Sequence, residues 1–247
     1  MLVITVPSRA LDANCYIVAP APQSPAIIID PGLGTVDAVA EVVEHHDLQV
    51  RAVIASHGHL DHIYDAPQMC ARFNVPLWIH HADRHLLTDP WAGVDGDLRR
   101  MLEPAFAGKA WLEPDRVQEI TDGVSSVGAL MGVGLDVVFR HAPGHTGGSI
   151  LIDVAGAPGE HSTLLTSPQD DLSNFVQCSR TVFTGDVLFA GTIGRTDFPV
   201  SSPEAMATSL EMIRTELVAD SAILSGHGPA SILEREFAAN PWLAARS

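Results

Sequence analysis

The chain has 247 residues, of which 46% are hydrophobic and 18% charged, and it carries a formal net charge of -16. That acidity repels a phosphate backbone, and the single lysine, Lys109, and the scattered arginines form no basic patch, so nucleic acid is excluded as a partner. No apolar run approaches a membrane span, no basic stretch precedes an apolar signal core, and Cys15, Cys70 and Cys178 have no paired spacing, which points to a soluble, cytoplasmic protein without disulfides.

A chain of this length buries a full core, and residues 1–247 are read as one domain. Leu2 to Val6, Asn14 to Ala19 and Ala26 to Ile29 read as strands, the third ending in the turn Asp30-Pro31-Gly32. From Thr35 to His46, Val36, Val39, Ala40 and Val43 form one helical stripe, with Thr35 as its cap. Ala52 to Ala55 is a short buried strand, and Ile63, Ala66, Met69, Cys70 and Phe73 recur at helical spacing after it.

Between that strand and helix lies His57-Gly58-His59-Leu60-Asp61-His62, three imidazoles and a carboxylate within six residues. Such density on a turn aimed by rigid elements points to a metal, with Gly58 letting the backbone bend between ligands. Pro76 to Ile79 then reads as a strand and His81 to Asp89 as a short helix, with His80, His81 and His85 as rival ligands. Pro90 to Pro114 shows no clear period and is expected to be a long surface excursion whose aromatics either wall a pocket or pack in the core.

Gly134 to His141 and Ser149 to Val154 are strands around Pro143-Gly144-His145-Thr146-Gly147-Gly148. Residues 155–179, rich in Pro, Ser and Asp, are read as an inserted surface loop carrying a solvated His161. Thr181-Val182-Phe183 leads to Thr184-Gly185-Asp186, and Ala222-Ile223-Leu224 to Ser225-Gly226-His227-Gly228-Pro229. Pro203 to Leu217 and Ser231 to Asn240 complete the helices.

Candidate ligands at four strand ends, four at the first and one at each of the others, next to glycine and in this order, resemble the metallo-β-lactamase superfamily, closest to its compact glyoxalase II-like branch. Asn14-Cys15-Tyr16, Asp30-Pro31-Gly32 and Phe189 to Asp197 extend the similarity over nearly the whole length. The resemblance implies a four-layer αβ/βα sandwich; periodicity alone shows only mixed α/β. It gives His57, His59 and His145 to a first metal and Asp61, His62 and His227 to a second, with Asp186 bridging, Asp61 as the catalytic carboxylate and Asp30 supporting the site from behind. Two divalent ions are implied, zinc foremost, with iron or manganese also suited to such ligands.

Metal coordination brings the pKa of bound water to about 7, so a nucleophile exists at neutral pH without serine or cysteine. A carboxylate at position 186 disfavours antibiotic hydrolysis, and Gly194-Arg195-Thr196-Asp197 resembles enzymes acting on small-molecule thioesters such as hydroxyacylglutathione. Arg195 is read as an ion-pair partner of Asp197 or Asp30, or else as a substrate anchor. A mononuclear-iron persulfide dioxygenase using His57, His145 and Asp186 is the alternative, and a catalytically idle metal-binding module the third reading. With Arg246 the last cation of a short C-terminal region, glutathione thioesters are expected to be poor substrates, and a less anionic thiol, such as mycothiol, a better one.

Overall fold

The computed structural model describes residues 1–106 and 111–243; Lys109 and Arg246 lie outside the described residues. The first half of the chain builds one six-stranded sheet from β1 (Leu2–Pro7), β2 (Asn14–Ala19), β3 (Pro25–Ile29), β4 (Gln49–Ile54), β5 (Leu77–His80) and β6 (Val117–Ile120), adjacent in that order. The pairings from β1 to β3 are antiparallel and those from β3 to β6 parallel. The second half adds β7 (Val124–Ser126), β8 (Val137–His141), β9 (Ile150–Ala155), β10 (Arg180–Gly185), the small hairpin β11 (Leu188–Phe189) and β12 (Thr192–Ile193), β13 (Ser221–Ser225) and β14 (Ser231–Ile232). Its six-stranded sheet runs β14-β13-β10-β9-β8-β7.

Successive side chains of a strand point to opposite faces, and here both faces are apolar because both are covered. Val3, Tyr16, Val18, Ile27, Ile29 and Ile54 meet Val137, Phe139, Ile150, Ile152, Phe183 and Leu224 in a core between the sheets. Their neighbours Leu2, Cys15, Ile17, Ile28 and Val53 face outward onto Val39 and Val43 of α1 (Val36–His45) and, past the one-turn α2 (Leu60–Ile63), onto Met69 and Cys70 of α3 (Ala66–Phe73). After α4 (Gly96–Phe106) and the short α5 (Gly128–Met131), α6 (Pro203–Glu216) and α7 (Leu233–Ala239) cover Leu151, Val182 and Ile223 on the far side of the second sheet. The result is the expected four-layer αβ/βα sandwich. Among the described residues, no helix is long and apolar enough to cross a membrane. The three cysteines are free and buried.

Four local expectations are corrected. Among the described residues of the Pro90 to Pro114 stretch, α4 replaces the expected aperiodic excursion, burying Leu102 and Phe106 against Leu33, Leu60 and Tyr64. Trp111 donates its indole N–H to the Leu87 carbonyl, and with Trp91 and Phe106 it both packs beside Tyr64 and lines a cavity with Leu60 and Pro90. Residues 155–179 are more than a surface loop, since Phe175 is fully buried in the central core and Thr163 pairs with the free edge of β1 through Thr163 N–H to Val3 O and Thr5 N–H to Thr163 O. An open edge would leave backbone donors without partners, and this segment takes them.

The helix after the metal motif breaks between Ile63 and Ala66, where Pro67 opens α3 afresh. Thr35 stands at the start of α1 but makes no side-chain cap; its hydroxyl donates to Gly32 O, and Asp65 Oδ2 accepts the N–H groups of Gly34 and Thr35 at 2.7 and 2.8 Å. The cap comes from the residue just before α3, 30 residues away in sequence.

Candidate metal centre

Each ligand candidate leaves the end of a strand or the turn of helix beside it. His57 and His59 follow β4, Asp61 and His62 stand on α2, His145 lies between β8 and β9, Asp186 follows β10, and His227 follows β13. The side chains converge into two adjoining groups. His57 Nε2 lies 3.1 Å from His59 Nδ1, which lies 2.8 Å from His145 Nε2. His62 Nε2 lies 3.2 Å from His227 Nε2, and Asp61 Oδ2 lies 3.5 and 3.3 Å from those two nitrogens. Asp186 touches both groups, with Oδ2 3.5 Å from His145 Nε2 and from His227 Nε2, and Oδ1 3.4 Å from His62 Nε2.

Ligands held about 2.0–2.1 Å from a tetrahedral ion stand about 3.3 Å from one another, and the observed separations bracket that value. The other ring nitrogens settle the tautomers. His59 Nε2 donates to Gly93 O (3.0 Å), His145 Nδ1 to Arg195 O (2.8 Å), His227 Nδ1 to Leu11 O (2.9 Å) and His62 Nδ1 to Asp30 Oδ2 (3.0 Å). The Ser56 hydroxyl gives its own proton to Asp30 Oδ2 at 2.6 Å, so its oxygen accepts from His57 Nδ1 at 3.1 Å. With every outer nitrogen serving as a donor, the inner nitrogens converge on one another and are the ones left to hold a cation between them. Asp186 Oδ1 is likewise buried without a hydrogen-bond partner, an acceptor left for an ion. The residues therefore fit divalent metal bound to imidazole and carboxylate.

The two halves differ electrostatically. Burial, then the neighbouring rings, pushes His57 well below its usual range, and burial and His145 take His59 down to about 3. Around the acids the order reverses. Burial lowers His62, but Asp61, Asp186 and Asp30 outweigh it and raise it to about 9; burial also opposes charge on His227, yet Asp186 and Asp61 carry it to about 11. Asp61 is lowered and Asp186 held well below the carboxylate range, because His62 and His227 overcome the burial that would raise them.

The metal-free site thus holds protons on His62 and His227 at neutral pH, while His57 and His59 are neutral. An ion must displace the former and not the latter. Loading should therefore release protons chiefly when the Asp61-His62-His227 half fills, and its affinity should rise with pH across the neutral range. Calorimetric titration in buffers of different ionisation enthalpy measures this; filling of both halves without proton release would contradict it.

Asp30, expected behind the ligands, is there. Besides His62 and the Ser56 hydroxyl it accepts the Ser56 N–H at Oδ1 (2.6 Å), so one buried carboxylate orients a ring in each half. Asp30→Ala should lower metal affinity about 10–100-fold, read as metal content after dialysis against a chelator. Gly58 is required for another reason than bending: a Cβ there would come within 2.7 Å of Leu86 and 3.2 Å of the Asp83 Cβ. Arg195 pairs with Asp197, through Nε to Oδ1 at 2.8 Å and Nη2 to Oδ2 at 2.9 Å, and with Asp95 at 3.5 Å, not with Asp30. Its guanidinium covers Phe198, whose ring stands edge-on to His59 and His145.

Sequence reasoning missed several residues that build this site. Asp83, fully buried in the 3-10 helix His81–Leu87, accepts Gly58 N–H (2.8 Å), Gly148 N–H (2.7 Å) and the Thr146 hydroxyl (2.6 Å), pinning the two ligand loops together. No local pattern marks it. Ser56 was within reach, since it immediately precedes the motif; the carbonyls of Leu11 and Gly93 were not, because any residue offers one.

The metallo-beta-lactamase superfamily model matches residues 9–159. An uncharacterized protein of Mycobacterium tuberculosis is 32% identical over 243 residues, covering 98% of each chain. The hydroxyacylglutathione hydrolase GloC of Haemophilus influenzae is 29% identical over 247 residues, again with 98% of each covered. Among solved structures, the di-iron-bound form of TTHA1623 superposes with a TM-score of 0.68 at 24% identity, over 97% of this chain and 99% of that one. Fold, sequence match and converging ligand residues agree, and the chain belongs to the metallo-beta-lactamase superfamily of metal-dependent hydrolases.

Proposed function

We propose that this protein is a binuclear thioester hydrolase of the hydroxyacylglutathione hydrolase type, with zinc as its foremost metal and a small-molecule thioester as substrate. The observation that carries this is Asp186, one carboxylate lying against both imidazole groups with a buried oxygen that nothing else satisfies. The relative of equal span that bears the hydroxyacylglutathione hydrolase name supports the substrate class. Bound ions would supply Lewis acidity and a water acidified to near-neutral pKa.

The chain's own residues do the rest. Asp186 joins the halves; Asp61 adds negative charge to the half that carries the protonated rings; Asp30, Ser56 and the three backbone carbonyls keep each ring in the tautomer that donates a lone pair. Phe198 walls the His59–His145 side. In the net reaction the acyl carbon gains a hydroxyl from water while the C–S bond breaks, and the sulfur leaves as a thiolate with a low proton affinity. The free, buried cysteines suit a reducing compartment such as the cytoplasm.

Metal analysis of protein purified without added metal, paired with a thioester hydrolysis assay, tests this reading. About two ions per chain and hydrolysis of S-lactoylglutathione are expected. One iron per chain, unaffected by excess metal, together with oxygen uptake on glutathione persulfide, would replace it with a persulfide dioxygenase. A relative matched over 98% of both chains carries the hydroxyacylglutathione hydrolase name, which keeps thioesters of glutathione within the proposed substrate class. The net charge of -16 and the commitment of Arg195 to Asp197 and Asp95 still disfavour its two carboxylates. Steady-state kinetics should give a KM above the low micromolar range for S-lactoylglutathione and a lower one for a less anionic thioester; the reverse order would overturn the expectation.

A further inference from the structure

A second group of imidazoles lies apart from the centre just described. His80 ends β5, His81 opens the 3-10 helix that follows, Asp122 comes two residues after β6, and His141 ends β8. Three ring nitrogens surround a single oxygen, Asp122 Oδ1: His81 Nε2 at 2.9 Å, His80 Nε2 at 3.4 Å and His141 Nδ1 at 3.5 Å. The His80 and His141 rings stack at 3.9 Å, and ligand atoms of His80, His81 and Asp122 all lie within 4.8 Å of one another.

Two features of this group are unexplained by the fold alone. His80 is fully buried, and its Nε2, aimed at Asp122 at 3.4 Å and near the Thr121 backbone, completes no hydrogen bond of ordinary geometry. His141 Nε2 donates to Gly147 O at 2.9 Å, so in the neutral ring Nδ1 presents a bare lone pair to a carboxylate oxygen, two acceptors facing each other with no proton between them. Both faults are cured by a cation. Burial, then His141 and His81, takes His80 down to about 4, so its ring is neutral and able to coordinate at physiological pH.

We propose that His80, His81 and Asp122, with His141 beside them as a further donor, form a separate site for one divalent transition ion such as Zn2+. Imidazole-rich donor sets select borderline ions over Mg2+ or Ca2+. Coordination through His80 Nε2 moves the ring proton to Nδ1, which gives up the contact with Ala82 N–H, already long at 3.3 Å. His81 and Asp122 are exposed, so the ion enters from solvent and keeps water in its open positions. An ion here ties together the ends of β5, β6 and β8, with His81 two residues before Asp83 and His141 four before His145. The inference rests on this geometry and not on the hydrolase reading.

The test uses the full chain with its main centre filled and excess metal removed, titrated calorimetrically with Zn2+ at neutral pH. Wild type should take about one further ion per chain, with His81 Nε2 exchanging its contact with Asp122 for the ion. His81→Ala and Asp122→Asn, both at exposed positions, should each weaken that binding about tenfold or more, with the metal content of the main centre and the activity unchanged. With Co2+ as the probe, a visible absorption band additional to those of the main centre should be present in wild type and missing from both variants. No uptake beyond the main centre, or a further equivalent that survives both substitutions with unaltered affinity, would overturn the proposal.

Discussion

Asp186→Ala should abolish thioesterase activity, with kcat/KM falling on the order of a thousandfold or more, and should do so more severely than Asp61→Ala. Asp186 Oδ2 stands 3.5 Å from a nitrogen in each half and Oδ1 3.4 Å from His62, whereas Asp61 forms ion pairs with His62 and His227 of one half. Removing Asp186 separates the halves; removing Asp61 weakens one. The metal content should follow the same order, with Asp61→Ala keeping the His57-His59-His145 half loaded. Comparable, mild losses in the two variants would show that Asp186 does not link the halves. Loss of activity with metal content intact in Asp186→Ala would instead give Asp186 a role in chemistry alone.

Gly226→Ala should be nearly as damaging, although the residue ligates nothing. A Cβ at this position would fall far inside contact distance of Asp186 Oδ1 and within 2.7 Å of His62 Cε1. Neither neighbour has room to move: His62 is fully buried and bonded to Asp30, and the Gly226 N–H is itself bonded to Gly185 O at 2.8 Å. The methyl must displace a carboxylate and an imidazole from one half of the centre, so metal retained per chain should fall by about one ion and activity by about 10–100-fold or more. Gly228→Ala, two residues on, is a useful control, since no heavy atom lies within 4 Å of its added Cβ and its cost is confined to backbone strain at φ +72°. If Gly226→Ala retained full metal and rate, the close approach of Gly226 to Asp186 would have no functional weight.

By itself, the sequence was enough to nominate the residues that the fold gathers. His57, His59, Asp61 and His62 are legible because ligand density within six residues is a local property, and His145, Asp186 and His227 because each follows an apolar strand and sits by glycine. The mixed α/β content was legible from apolar periodicity, whereas the four-layer arrangement was implied only by the resemblance, and the packed cores on both faces of the sheets bear it out. What escaped depends on contacts distant in sequence. The acceptors that fix the tautomers are backbone carbonyls of Leu11, Gly93 and Arg195, and every residue has a carbonyl. Asp83 reaches Thr146 and Gly148 more than 60 residues away, and Asp65 caps a helix that precedes it. Residues 96–106 form a helix despite Pro104, because Leu102 and Phe106 find Leu60 and Tyr64 to pack against. His80 and His81 looked like rival ligands for the same centre, yet the ends of β5, β6 and β8 meet elsewhere and bring them to Asp122 and His141. Spacing along the chain names the groups able to do chemistry; which of them meet, and which nitrogen of each ring faces inward, follows only from how the two sheets pack and where their strands end.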